Sequence, residues 1–172
     1  MDKTAKSILV MGVSGSGKSH LGRQLAAALD ATFVDGDDHH SLSNIEKMSQ
    51  GQPLTDEDRE TWLITLAGLY ADYHRRGQTL VIGCSALKRH YRDKLRAATP
   101  SLDILYLHGE RATLMQRLDK RGGHFFHGSH MLDNQLATLE VPDEHEAFRA
   151  DIRNSPRDIV MDFLTRLDSN TA

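Results

Sequence analysis

The chain has 172 residues, 39% of them hydrophobic and 26% charged, with a formal net charge of -3. That is enough for one buried core, and the mild negative balance excludes the basic stripe of a nucleic-acid binder as well as a disordered acidic tail. One cysteine, Cys84, rules out an intrachain disulfide, and the apolar run from Ile8 to Gly12 is too short for a signal-peptide core or a membrane span, so a cytoplasmic protein without membrane or nucleic-acid partners is expected.

Short apolar runs alternate with helix-like stretches, as in a parallel α/β sheet. Ile8 to Met11 reads as the first strand, followed by a Gly/Ser cluster and a helix carrying Leu21, Leu25, Ala28 and Leu29. Thr32 to Val34 forms a second strand ending at Asp35. A mostly polar segment from Asp37 to Pro53 has Ile45 and Met48 as its apolar points. Thr55 followed by Asp58 has the form of a capping box, and Trp62, Leu66, Leu69, Tyr70 and Tyr73 mark the buried face of the helix it opens; Trp62 reads as core. Gly77 ends that helix. Thr79 to Cys84 is a third strand, Ser85 to Ala98 a helix with Leu87, Tyr91 and Leu95 on one side, and Leu102 to Leu107 a fourth strand. Glu110 to Arg121 is helical. Gly122 to Gly128 lacks periodicity and is expected as a loop, with a helix over Met131 to Glu140. A weak strand over Phe148 to Ile152 leads through Asn154-Ser155-Pro156 into a last helix with Ile159, Phe163 and Leu167. The expectation is a single domain over 1–172, a three-layer α/β/α fold with a five-stranded parallel sheet.

The strongest signal is Gly12-Val13-Ser14-Gly15-Ser16-Gly17-Lys18-Ser19, which fits G-x-x-x-x-G-K-[ST] between a strand and a helix. Glycines let successive N–H groups converge on a phosphate, and the helix adds its free N–H groups and positive dipole end. Lys18 supplies a mobile charge for the β- and γ-phosphates, and Ser19 a hydroxyl for Mg²⁺. ATP and Mg²⁺ are therefore expected, with Gly12, Ser14, Gly15, Ser16, Gly17, Lys18, Ser19 and His20 around the phosphates.

The chain lacks the Asn-Lys-x-Asp run of a GTPase and is small for a motor. Its third strand ends Ile82-Gly83-Cys84-Ser85, without a Walker B aspartate. The acidic pair lies after the second strand, in Asp35-Gly36-Asp37. Parallel strands deliver their C-terminal ends to one sheet edge, so both carboxylates should face the γ-phosphate. One can take the proton of an acceptor hydroxyl while the other orients a metal-bound water.

The P-loop, Asp35-Gly36-Asp37-Asp38-His39-His40, Asn44-Ile45-Glu46-Lys47-Met48, Pro53 to Arg59, Cys84 to Asp93 and Gly123-His124-Phe125-Phe126, in that order, together resemble gluconate kinases of the P-loop type. The resemblance implies a shikimate-kinase-like fold, ATP-dependent phosphorylation of D-gluconate, Mg²⁺ dependence and a homodimer. It also implies an acceptor-binding region at about 37–62 and a mobile lid at about 117–135. Where the family often has proline after His40, this chain has Ser41, which is expected to loosen the start of the acceptor-binding helix.

With the resemblance and the chemistry taken together, Asp37 is the expected base and acceptor ligand, and Asp35 a metal ligand through water. Arg59 and Arg92 are expected to grip the acceptor carboxylate. His40, Ser85 and Lys88 are placed where polyol hydroxyls are read, and His124 is also expected to bind substrate. Arg117 and Arg121 share a helix face and are expected to bring charge onto the transferring phosphoryl group as a lid with hinges at Gly122 and Gly123 closes. Phe125 and Phe126 belong to that lid. His124, His127 and His130 recur at three-residue spacing but lack a cysteine or acidic partner for zinc. A kinase for another small hydroxy acid such as shikimate, or a non-catalytic nucleotide-binding regulator, stands as the alternative.

Overall fold

The computed structural model describes residues 5–99, 101–120 and 125–170, and of residues 125–129 and 170 the backbone alone. The strands are β1 (Ser7–Met11), β2 (Thr32–Asp35), β3 (Leu80–Gly83), β4 (Leu102–His108) and β5 (Phe148–Asp151). They pair in parallel in the order β2-β3-β1-β4-β5. The helices are α1 (Lys18–Ala28), α2 (Leu42–Ser49), α3 (Asp56–Arg75), α4 (Arg89–Ala98), α5 (Arg111–Lys120), α6 (Phe125–Thr138) and α7 (Pro156–Asn170), with a 3₁₀ turn at Gly36–His39.

Side chains alternate across each strand, and that alternation creates the three layers. On β1, Ile8 and Val10 face Leu21 and Leu25 of α1 and Ile159 and Phe163 of α7. Leu9 and Met11 face the other way, onto Trp62, Leu66 and Tyr70 of α3 and Tyr91 and Leu95 of α4. β1 is sealed on both faces, and each fully buried aliphatic side chain is worth about 1.5–3 kcal/mol. A rigid centre therefore carries the loop that leaves β1 at the C-terminal edge of the sheet.

Four local features differ from expectation. The helix expected from Ser85 starts at Arg89, because Ala86 takes a left-handed φ of 47°. That turn is held by the Arg92 guanidinium, which donates to the carbonyls of Ala86 and Leu87. α6 begins at Phe125, inside the expected loop. Its period is faint because Leu132 alone among its described side chains is fully buried. In α2 the apolar Ile45 and Met48 are exposed, and the buried anchor is Asn44, which donates to the Asp58 carbonyl at 2.8 Å. Ser41 does not loosen α2: its hydroxyl caps the helix by accepting from the Asn44 N–H. The Thr55–Asp58 capping box at the start of α3 is formed.

Candidate active site

The P-loop runs from the end of β1 into α1. Gly17 sits at the helix start with φ 91°, a conformation in which a side chain would be strained. No side chain caps α1 and its first turn holds no acid, so the first-turn N–H groups and the dipole are left for an anion. Ser16 Oγ is buried and finds no partner among the described residues, which suits a loop built to close on phosphate oxygens. Lys18 Nζ rests 3.2 Å from the Val13 carbonyl. His20 lies on the exposed side of α1, 3.0 Å from Gln24.

At the neighbouring strand end, Asp35 ties two elements together. Ser19 Oγ donates to its Oδ2 at 3.0 Å, and the Asp37 N–H donates to its Oδ1 at 3.0 Å. The donor set expected for Mg²⁺, a serine hydroxyl beside a carboxylate, is thus assembled, and its oxygens suit a hard cation. Gly36 is needed for close approach: a Cβ there would lie 2.9 Å from the Gly83 carbonyl. Trp62, which is core, donates from Nε1 to the Gly36 carbonyl at 2.7 Å and fixes this turn.

Asp37 keeps an edge in solvent, yet protein crowds its carboxyl. Burial raises its pKa, with Asp35 and Asp38 adding to the effect and Lys18 opposing it. His40 stacks on Trp62 at 4.2 Å between ring centres. Burial and the nearby Arg59 charge push its pKa down, so it is neutral at neutral pH.

A cavity of about 550 Å³ lies between the α2–α3 connection, the first turn of α3, Lys88 and the last turns of α6. Asp56, Arg59 and Lys88 line it. Arg59 Nη1 donates to the Leu54 carbonyl at 2.8 Å and to the Tyr91 hydroxyl at 3.1 Å. The Tyr91 hydroxyl donates to Asp56 Oδ1 at 2.5 Å, and Lys88 Nζ donates to both Asp56 oxygens. The bonds from Tyr91 and Lys88 hold the Asp56 carboxyl below the usual aspartate range. Ser85 is half-buried just beyond the end of β3, beside the Asp35 turn.

Arg92 does not join this site. It is 1% exposed, and all five of its N–H groups are used: by Glu146, by the carbonyls of Ala86 and Leu87, and by the Glu140 carbonyl. The carboxylate it grips is the protein's own. Periodicity marked the body of α4 but gave no sign that Glu146, far along the chain, would fill the fork.

Arg117 reaches the P-loop from α5, donating to the carbonyl of Ile152 and, at 3.5 Å, to that of Ser16. Arg121, Gly122, Gly123 and His124 lie outside the described residues, as do the side chains of Phe125, Phe126 and His127. α6 contributes a contact that no motif announced: Gln135 Oε1 accepts from the Ser14 N–H at 2.6 Å. Arg111 and Asp133 pair in parallel across α5 and α6. Cys84 is buried, and burial, with Asp37 nearby, pushes its thiol up to about 12, which suits packing and not nucleophilic attack. Among the described residues no group of three or more His, Cys, Asp or Glu gathers for a metal ion, and no helix is long and apolar enough to cross a membrane.

The model of an AAA domain family matches residues 8–142. The chain is 44% identical over 151 residues to the thermosensitive gluconokinase of Escherichia coli K12, covering 87% of this chain and 80% of that one. It is 46% identical over 158 residues to a probable gluconokinase of Xenopus tropicalis, with 83% of each covered. A gluconokinase from Sinorhizobium meliloti 1021 superposes with a TM-score of 0.88 at 42% identity, over 99% of this chain and 97% of that one. An APS kinase of Mycobacterium tuberculosis shares the fold alone, with a TM-score of 0.73 at 15% identity over 97% and 99% of the two chains.

Proposed function

The chain belongs to the gluconokinase family of P-loop kinases, and we propose that the site described above transfers the γ-phosphoryl group of ATP to D-gluconate with Asp37 as the base. The protein is an ATP-dependent gluconokinase, giving 6-phospho-D-gluconate and ADP. The observation that carries the residue assignment is Asp35, whose two oxygens hold the Ser19 hydroxyl and the Asp37 backbone, so the base stands at the transfer end of the phosphate loop.

In this reading the P-loop N–H groups, Ser16 and Lys18 hold the phosphates. Mg²⁺ held by Ser19 and, through water, by Asp35 would neutralise charge on the β- and γ-phosphates. The acceptor hydroxyl attacks phosphorus in line. Its proton passes to Asp37, the bond to the bridging oxygen breaks, and ADP leaves. A raised Asp37 pKa makes that carboxylate a better proton acceptor. His40 and Ser85 border the polyol, and Arg59 and Lys88 meet the acceptor carboxylate from the cavity wall. Arg117 already spans from α5 to the P-loop, which supports a lid role for the segment it begins; Arg121 and His124 belong to the same proposal. A single domain with a lid at about 117–135, a homodimer and a cytoplasmic setting complete it by family resemblance.

ADP release from ATP-Mg²⁺ is to be measured with D-gluconate, shikimate and other aldonates. Stimulation by D-gluconate is expected. Equal stimulation by shikimate, or none by any sugar acid, would sink the reading.

A further inference from the structure

Tyr91 is 1% exposed and does not line the acceptor cavity, yet its hydroxyl joins groups that do. It accepts from Arg59 Nη1 at 3.1 Å and donates to Asp56 Oδ1 at 2.5 Å, while Lys88 Nζ donates to Asp56 at 3.0 and 3.3 Å. Both cations also lie against the Tyr91 ring, Arg59 Cζ at 5.4 Å and Lys88 Nζ at 5.7 Å from its centre. A buried tyrosine on α4 therefore sets where two charges on α3 and the β3–α4 connection stand.

We propose that Tyr91 is a positioning residue for acceptor specificity, holding Arg59 and Lys88 on the cavity wall so that an acceptor bearing one carboxylate is selected over its uncharged counterpart. This rests on the kinase reading above and deepens it.

Asp56 and Glu140 offset the two positive charges of the lining, so the preference for a carboxylate rests on where the Arg59 guanidinium is held and not on net charge. Arg59 Nη1 is engaged by both the Leu54 carbonyl and Tyr91, which fixes the guanidinium plane. Its Nε and Nη2 have no hydrogen-bond partner among the described residues, and that edge of a guanidinium offers two parallel N–H bonds to a carboxylate. Without the tyrosine hydroxyl the plane is free to rotate and the two-point match is lost.

The test is Tyr91→Phe, which keeps the ring and its packing. Steady-state constants are measured for D-gluconate and for its uncharged amide, D-gluconamide, as acceptor or competitive inhibitor. The expected result is a drop of about tenfold in the preference for acid over amide, as for misaligning one charge-assisted contact. That drop is carried by the KM for D-gluconate, with kcat and the KM for ATP within twofold of wild type. Equal losses for acid and amide, or an unchanged preference, overturn the positioning role while leaving the kinase reading intact. A wild-type protein that responds to neither acceptor overturns that reading and this one together.

Discussion

Glu146→Ala separates a structural arginine from a substrate-binding one. Glu146 is 7% exposed and accepts from Arg92 Nε and Nη2, at 2.8 and 3.2 Å, and from Arg96 Nη1 at 2.8 Å. Removing it leaves a guanidinium that is 1% exposed with two unpaired N–H groups. Breaking a buried pair costs about 3–5 kcal/mol. The low end applies here, because Arg96 is 25% exposed and brings the cluster near solvent. For a chain of 172 residues, about 3 kcal/mol corresponds to a fall in Tm of roughly 6–12 °C. Thermal unfolding followed by circular dichroism reads this directly, and the KM for D-gluconate, taken well below the transition, should stay within about twofold of wild type. The difference should also depend on pH. Burial alone would raise the Glu146 carboxyl, but the bonds from Arg92 and Arg96 override it and hold the pKa below the ordinary glutamate value. Its stabilisation is present above the unfolded value, about 4.3, and is lost as pH falls through the lower folded value. The Tm gap should therefore close on acidification below about pH 4. An unchanged Tm at neutral pH, with a raised KM for D-gluconate, would return Arg92 to the acceptor site and refute the argument.

Asp37→Asn should lower kcat on the order of 10²- to 10⁴-fold with ATP affinity, read by equilibrium titration, nearly unchanged; a large loss of ATP affinity would contradict the role of base. Because the Asp37 pKa is raised, wild-type kcat/KM should fall on acidification through a value above the ordinary aspartate pKa, and the variant should lack that limb. Arg59→Ala should raise the KM for D-gluconate about ten- to hundredfold, with a smaller effect on kcat; an unchanged KM places the carboxylate grip elsewhere.

The sheet was legible because β1, β3 and β4 are short apolar runs and α1, α3 and α7 repeat with helical period; the P-loop was legible because phosphate binding needs glycines at fixed spacing. Ser85 to Lys88 misread as helix, since residues of ordinary helix propensity gave no hint that Ala86 would turn left-handed under the Arg92 guanidinium. Arg92 itself misread because an arginine looks the same in sequence whether its fork is open or filled, and Glu146 lies 54 residues away. Tyr91 read as core, correctly by burial, but its hydroxyl partners Arg59 and Asp56 come from another helix. Gln135 gave no signal, because a polar residue on a helix becomes a P-loop contact only once α6 has been packed against α5 and brought to the P-loop. Local periodicity reports which face a residue takes; it does not report which distant group completes a hydrogen bond there.

The displaced acid shows why the second strand matters to the chemistry. β2 and β3 run in register, with Asp35 opposite Gly83, so a carboxylate at either strand end stands beside the P-loop. Placing it on β3 would satisfy Ser19 but leave the acceptor base to be positioned independently. On β2 the same carboxylate holds Ser19 with one oxygen and the Asp37 backbone with the other. Gly36 permits the close approach to the Gly83 carbonyl and Trp62 pins the turn through the Gly36 carbonyl. One side chain therefore couples the Ser19 hydroxyl, proposed for Mg²⁺, to Asp37, the proposed proton acceptor. Because His40 stacks on the same Trp62, the side chain proposed to border the polyol is referenced to that turn as well. On that proposal a change at Asp35 disturbs both the phosphate loop and the base, because its two oxygens serve one each.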